Sequence, residues 1–166
     1  MEIIFFIIAM LALLAVSGYV AYITYKNIPR NVISFKESTD LTSLPIATFT
    51  CGKKKLNFIL DSGATACVID ENVVTTLSNE YCTKTNLKEE VWGMEGNAVN
   101  SDIMQLDITY SNLTFNELFL VSDLSQAFNK IKEESGVKLH GIIGNNFFIK
   151  HKYILDFEKM LFYNKR

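Results

Sequence analysis

The sequence predicts a mainly β domain that follows one hydrophobic helix. Three observations lead to this prediction. No charged residue occurs between Ile3 and Tyr25. After Leu44, short apolar stretches alternate with turn-forming residues, which is the pattern of β-strands joined by tight turns. The chain beyond the uncharged run is long enough for one compact domain and too short for two ordinary ones.

The uncharged N-terminal run is long enough to cross a membrane. As a helix it extends over roughly 35 Å, and the hydrocarbon core of a bilayer is about 30 Å thick. A cleaved signal peptide is the alternative, but such a peptide has a basic start, and the only early charge here is Glu2. We therefore expect a retained transmembrane helix over residues 1–25, with the lipid bilayer as a partner.

The flanking charges predict the orientation of this single-pass protein. Lys26, Arg30 and Lys36 follow the apolar run, and no basic residue precedes it. Basic residues stay on the cytoplasmic side, so we expect a cytoplasmic C-terminal domain. Residues 26–43 are polar and contain Pro29, which predicts a stalk, and the domain is expected over residues 44–166.

Composition narrows the possible functions. The formal net charge is −2 at pH 7, so nucleic-acid binding has no electrostatic support. The cysteines Cys51, Cys67 and Cys82 do not follow the spacing of a zinc site, and Cys67 lies in an apolar stretch. We expect reduced structural thiols, with one disulfide and one free thiol as the alternative.

The apolar stretches predict the elements of the domain in order. The first three strands are expected to form a meander of antiparallel neighbours, with turns at residues 51–54 and at Asp61. Asp70 fits the N-cap of a brief amphipathic helix. Two strands, a helix, a buried strand ending in a glycine, a short helix and a last strand follow. The main stretches are Ile46–Thr50, Leu56–Leu60, Ala66–Ile69, Val73–Leu77, Met104–Tyr110, Leu113–Val121, Ser122–Ser135, Ile142–Gly144 and Tyr153–Phe157.

Asp61-Ser62-Gly63-Ala64 is the first candidate for chemistry, because it lies between two apolar runs. A carboxylate on a tight turn between buried strands is partly desolvated, which disfavours its charged form and suits acid/base chemistry. Asp, Ser and Gly are also ordinary turn formers, so this tripeptide alone indicates no more than a turn. The basic run Lys53–Lys55 favours a solvated hairpin tip over a contact with anionic headgroups.

Two segments together resemble retropepsin-like aspartic proteases. Phe58 to Ala64 (Phe-Ile-Leu-Asp-Ser-Gly-Ala), followed by Val68 to Asp70, resembles the active-site turn of that family. Ile142 to Phe148 resembles the apolar-apolar-Gly segment and the helix that close its fold. The resemblance covers residues 44–157 and implies a closed acid-protease β-barrel with one or two short helices. It also implies an aspartic endopeptidase that needs no cofactor and no metal.

The resemblance assigns roles to single residues. Asp61 is the shared acid/base, and Ser62, Gly63 and Ala64 brace its turn. Because this chemistry needs two carboxyls and the chain has one Asp-Ser-Gly, a homodimer is implied. The substrate is a peptide or protein bound as an extended strand. Flap or substrate-binding roles fall to Trp92, Gly93, Met94 and Gly96, and structural support falls to Ile143, Gly144 and Asn146.

Several alternatives stand beside this hypothesis. A membrane-tethered peptide-binding module on the same fold would not cleave, and the expected flap is as well explained as an ordinary surface hairpin. A dyad of Asp61 with Asp156 within one chain is disfavoured. His140 and His151 lack the spacing of metal ligands, and no local signature supports a thiol protease or a serine nucleophile. The chain also continues past Phe157, where retroviral enzymes end with a strand of the dimer sheet, so the dimer contact is expected to differ.

Overall fold

The structure is a computed structural model that describes residues 2–26, 29–92 and 98–165. Five helices and ten strands occur in these ranges. The helices are α1 (Glu2–Lys26), α2 (Lys36–Thr42), α3 (Glu71–Val74), α4 (Ser125–Ser135) and α5 (Asn145–His151). The strands are β1 (Pro29–Ser34), β2 (Ile46–Cys51), β3 (Lys54–Leu60), β4 (Cys67–Asp70), β5 (Cys82–Trp92), β6 (Ala98–Tyr110), β7 (Leu113–Ser122), β8 (Gly141–Ile143), β9 (Tyr153–Asp156) and β10 (Leu161–Lys165).

The N-terminal helix α1 is long and apolar enough to cross a membrane. The mean hydropathy from Ile4 to Lys26 is 2.5, and the most apolar part of this helix is not buried against the rest of the described chain. A helix with this composition in water would leave a large apolar surface uncovered. A signal sequence near an N-terminus can also be this long and this apolar.

The domain is a closed β-barrel, and the predicted fold class is confirmed. Six strands form the ring in the order β2-β3-β8-β4-β7-β6, and the pairing of Thr50 with Thr109 joins β6 back to β2. Within the described residues, the strand β5 pairs only with β6 and continues outward as a long hairpin arm. Four short helices pack around this barrel in the described ranges, which is more than the one or two that were expected.

Aromatic side chains fill the barrel. Phe49 contacts the rings of Phe58, Phe115 and Phe147 with centroid distances of 6.0 to 6.2 Å, in edge-to-face geometry. Edge-to-face pairs are a favourable aromatic arrangement, and large buried rings supply much of the hydrophobic stabilisation. Phe147 belongs to α5, so this helix closes one end of the barrel as part of the core.

The first three strands do not form the predicted meander. Strand β8 lies between β3 and β4, parallel to β3 and antiparallel to β4, so β3 and β4 are not neighbours. Gly141 begins β8, and a Cβ there would lie 2.3 Å from the backbone oxygen of Val68. Because Gly141 has no side chain, β8 can fit between β3 and β4 at this point.

The polar segment after α1 is folded onto the domain instead of forming a separate stalk. Strand β1 pairs with β10, and Phe35 is 1% exposed. The side chain of Ser38 in α2 accepts a hydrogen bond from the backbone N–H of Ile46, at 3.0 Å. In the structure, the residues that pack onto the barrel therefore start at Pro29, ahead of the expected boundary at Leu44.

The C-terminal extension forms the centre of a second, three-stranded sheet. Strand β10 lies between β1 and β9, antiparallel to both. Phe162 on β10 is fully buried and contacts Tyr153 with a centroid distance of 4.4 Å. Because β10 occupies one edge of β9 within the same chain, a contact between two copies through that edge is blocked.

Candidate active site

Asp61 lies where β3 ends, at the edge of the barrel where the parallel strand β8 also ends. The backbone N–H of Asp61 donates to the carbonyl of Ile143, at 3.0 Å. This bond extends the β3–β8 ladder by one residue beyond Leu60, because the last strand pair is Leu60 with Ile143. The Cα of Asp61 is therefore held by the sheet rather than by a loose loop.

The turn itself orients the carboxylate. The backbone N–H of Gly63 donates to Oδ1 of Asp61, at 2.8 Å. Asp61 and Ala64 are half-buried, whereas Ser62 and Gly63 are exposed. A Cβ at Gly63 would lie 3.2 Å from Oδ1, which is a tight contact, so a glycine suits this position. One carboxylate oxygen is thus bound by the turn, and Ser62 is left on the outer surface of a single chain.

Helix α5 fastens the far side of the turn. The N–H of Asn145 donates to the carbonyl of Ala64, at 2.7 Å, and the N–H of Asn146 donates to that of Thr65, at 3.3 Å. These are orphan donors of the first helical turn, so the loop and the helix satisfy each other. The segment between β3 and β4 is therefore fixed at both ends.

Gly144 lets the start of α5 come close to the backbone of the loop that follows Asp61. A Cβ there would lie 2.2 Å from the backbone oxygen of Ala66 and 3.0 Å from that of Ala64. Its φ of −90° is accessible to any residue, so the need for glycine comes from the close backbone approach and not from a left-handed conformation. Ile143, the preceding residue, is fully buried in the core.

Asn146 connects α5 to a buried thiol. Its Oδ1 accepts from the backbone N–H of Phe147, at 2.8 Å, and from Sγ of Cys67, at 3.3 Å. Burial raises the pKa of the Cys67 thiol to about 12, so the thiol is protonated and donates. Its partner is Asn146 rather than His140, which gives no support to a cysteine nucleophile.

A buried carboxylate that the sequence analysis missed holds the other end of α5. Glu117 on β7 is 3% exposed, and its Oε1 contacts Nζ of Lys150 at 2.8 Å and also Nε2 of His151. Phe115, Glu117 and Phe119 alternate along β7, and all three face inward. The alternation of Phe115, Glu117 and Phe119 in the sequence therefore indicates that Glu117 is buried, and a buried carboxylate needs a cationic partner.

Asp156 is engaged elsewhere. The backbone N–H of Lys159 donates to its Oδ1 at 3.0 Å, and Nζ of Lys159 and the hydroxyl of Tyr163 lie 3.2 and 3.3 Å from its Oδ2. The backbone bond from Lys159 is the main reason that the pKa of Asp156 is lowered. A charged, fully partnered carboxylate in the second sheet is a poor partner for Asp61.

The expected flap is described only at its base. Strands β5 and β6 pair antiparallel up to Trp92 and Ala98, so two extended segments do form a hairpin there. Trp92 is the last residue of β5, whereas Gly93, Met94 and Gly96 lie outside the described residues. Within residues 2–26, 29–92 and 98–165, no three His, Cys, Asp or Glu side chains are close enough together to hold a metal ion.

Comparison with known proteins gives one kind of match. No protein-family model matches this chain, and no curated protein matches it. Among solved structures, the chain is similar to the EIAV protease complexed with the inhibitor HBY-793. The two sequences are 17% identical, the TM-score is 0.46, and the match covers 66% of this chain and 88% of that chain.

Proposed function

We propose that this chain is a membrane-anchored aspartic endopeptidase that is active as a homodimer. The observation that carries the proposal is the Asp61 turn: one carboxylate is oriented by the N–H of Gly63 and fixed by α5 through Ala64. Such a rigid support is what an acid/base group requires, because a misplaced catalytic group loses most of its effect. The chain contains a single Asp-Ser-Gly, so the second carboxyl comes from a second copy.

The proposed reaction uses two Asp61 carboxyls that share one proton. The ionised carboxyl takes a proton from water, and the water oxygen attacks the carbonyl carbon of the peptide. The protonated carboxyl then donates its proton to the leaving nitrogen as the C–N bond breaks. Such a dyad titrates as a pair, so its apparent pKa values belong to neither copy alone.

The remaining parts of the proposal concern substrate and location. An extended peptide lies between the two Asp61 turns and the β5–β6 hairpins, and Trp92, Gly93, Met94 and Gly96 have flap or substrate-binding roles. Helix α1 spans the bilayer and keeps the domain on the cytoplasmic side. Confinement to a membrane raises the effective concentration of the two copies, which favours pairing.

The experiment compares the full chain and Asp61→Asn in lipid nanodiscs, with a peptide library read by mass spectrometry between about pH 4 and pH 7. Asp40→Asn is the matched control, because Asp40 is an exposed acid on α2. We expect Asp61→Asn to lose at least about 100-fold in cleavage rate and Asp40→Asn to retain it. Equal cleavage by wild type and Asp61→Asn would remove Asp61 from the chemistry.

The second candidate is a non-cleaving peptide-binding module, which the single Asp-Ser-Gly per chain also permits. A module of this kind binds extended peptides equally well as wild type and as the Asp61→Asn variant, and no product appears with either protein. Peptide binding without cleavage by the wild-type chain, under conditions where it is dimeric, would favour the module over the protease.

A further inference from the structure

A cavity of about 580 Å³ lies at the end of the central strands opposite to Asp61. The parallel strands β3 and β8 begin there, and the antiparallel strand β4 ends there at Asp70. Residues from β3, α3, α4 and the segment before β8 form its walls. Strand β3 has seven residues, so the cavity and the Asp61 turn are separated by about 20 Å along the strand.

Four lysines line this cavity although the whole chain carries a formal net charge of −2. Lys54 and Lys55 come from β3, Lys132 from α4, and Lys138 from the segment before β8. The turn of the β2–β3 hairpin is therefore not an isolated solvated tip. Folding brings it next to two lysines that lie far along the chain.

Among the described residues, one carboxylate lines the cavity, and both of its oxygens are already used. Oδ1 of Asp70 accepts from the backbone N–H of Asn72 at 2.9 Å, and Oδ2 accepts from that of Leu124 at 3.0 Å. Asp70 is 5% exposed, so it serves the backbone rather than the four ammonium groups. The walls of the cavity therefore hold a surplus of positive charge.

Neutral hydrogen-bond donors complete the walls. Nδ1 of His140 accepts from the backbone N–H of Asn57 at 2.9 Å, so the neutral ring carries its proton on Nε2. Burial, with Lys138 nearby, lowers the pKa of His140 and keeps the ring neutral at pH 7.

The remaining wall residues include one lysine that is held in place. Nζ of Lys54 donates to the carbonyl of Thr76, which anchors this lysine across the cavity. Ser125 and Asn129 on α4 also line it.

We propose that this cavity binds a ligand that carries two or more phosphate groups. Lysine binds phosphate as a strongly hydrated point charge, and amide, hydroxyl and imidazole N–H or O–H groups complete the coordination of its oxygens. The volume falls in the range of about 300 to 1,000 Å³ that is usual for small-molecule sites. The site does not involve Asp61, so it exists whether or not the chain cleaves peptides.

The first experiment measures binding of inorganic tripolyphosphate to the full chain in nanodiscs of neutral phosphatidylcholine, by calorimetry. We expect the double variant Lys132→Gln/Lys138→Gln to bind about ten-fold more weakly or worse. Lys130→Gln is the matched control, because Lys130 lies on the same helix, is exposed and does not line the cavity. It should change the affinity by less than about two-fold.

Three results decide the proposal. Lys132→Arg keeps the charge and should retain most of the affinity, which separates loss of charge from loss of fold. If Lys130→Gln weakens binding as much as the double variant, only the general charge of the chain matters and the site is overturned. If wild type binds neither tripolyphosphate nor bisphosphorylated lipid, the proposal is also overturned.

The two sources of the phosphate groups are separated by a second experiment. Nanodiscs that contain phosphatidylinositol bisphosphate place a headgroup in the bilayer that holds the protein. If the headgroup is the ligand, the apparent affinity for tripolyphosphate falls in these discs, and the double variant abolishes this competition. If the affinity is unchanged, the ligand is a soluble phosphate compound. This experiment identifies the source of the phosphate groups, whereas the comparison of the double variant with Lys130→Gln decides whether the cavity is the binding site.

Discussion

The two ends of β3, β8 and β4 are built in opposite ways. At the Asp61 end, loop carbonyls pair with the N–H groups of α5, and Gly144 brings two backbones into contact. At the other end, the same strands open into a cavity with four lysines on its walls. The comparison indicates that the acidic end is packed to hold one carboxylate in one place. The basic end leaves room for a ligand to supply the missing negative charge.

The largest expected effect tests the packing of the acidic end. In Gly144→Ala the new Cβ would lie 2.2 Å from the oxygen of Ala66, so the turn or α5 has to move. We expect the free energy of unfolding to fall by more than about 3 kcal/mol, as for severe overpacking. Chemical denaturation followed by circular dichroism measures this loss.

Gly136→Ala is the matched control for this substitution. Gly136 follows α4 with φ of +76°, and no atom lies within 4 Å of an added Cβ. The cost there is the left-handed conformation alone, about 1 kcal/mol. Equal losses in the two variants would contradict the tight packing of the Asp61 end.

The next effect concerns the buried carboxylate that holds the end of α5. Glu117→Gln removes a charge that is paired with Lys150 and His151. We expect a loss of about 1–2 kcal/mol in the free energy of unfolding, because Lys150 is half-exposed and water can solvate it when its partner is gone. Glu133→Gln, at an exposed position on α4, should have almost no effect. A stabilised Glu117→Gln would show that the pair opposes folding.

A smaller effect is expected for the carboxylate of the basic end. In Asp70→Asn the one remaining side-chain oxygen can accept from Asn72 as Oδ1 does now, and an amide N–H₂ then faces the backbone N–H of Leu124. We expect a loss of about 1 kcal/mol, measured by thermal unfolding. Asp123→Asn is the control, since Asp123 is exposed and Asn caps a turn equally well. If Asp123→Asn proves the more harmful, Asp70 does not hold α3 and α4 together.

The smallest effect is a pH dependence at the basic end. The pKa of His140 is lowered from 6.5 in the folded protein, so the unfolded chain binds a proton more readily between these two values. His140 therefore contributes stability that is present above about pH 6.5 and is lost as the pH falls through the folded pKa. His140→Asn keeps an acceptor for Asn57 without titrating, and its unfolding free energy should depend less on pH below about 6.5. An unchanged dependence would contradict this prediction.

Local sequence patterns predicted much of the fold. The strands on both sides of Asp61, the strands over Met104–Tyr110 and Leu113–Val121, and the N-cap at Asp70 all occur, because alternation and turn chemistry act over a few residues. The hydrogen bond from Gly63 to Asp61 has the same local origin. These features required no knowledge of which strands become neighbours.

Local patterns could not predict which strands that lie far apart in the sequence become neighbours. Nothing near β3 or β4 indicates that β8 lies between them, because the pairing joins Leu60 to Ile143. The segment before Leu44 looked like a stalk because its few buried side chains, such as Ile33 and Phe35, stand among polar residues. The lysine cavity was missed for the same reason, since Lys54 and Lys138 meet only in the folded barrel.

One measurement tests the proposed two-copy active site most directly. Wild type and Asp61→Asn are mixed in equal amounts at constant total protein, allowed to exchange subunits, and assayed for peptide cleavage. If each site needs two Asp61 carboxyls, random pairing leaves about one quarter of the activity of the all-wild-type sample. If about one half remains, each wild-type chain acts alone, and the homodimeric dyad is contradicted.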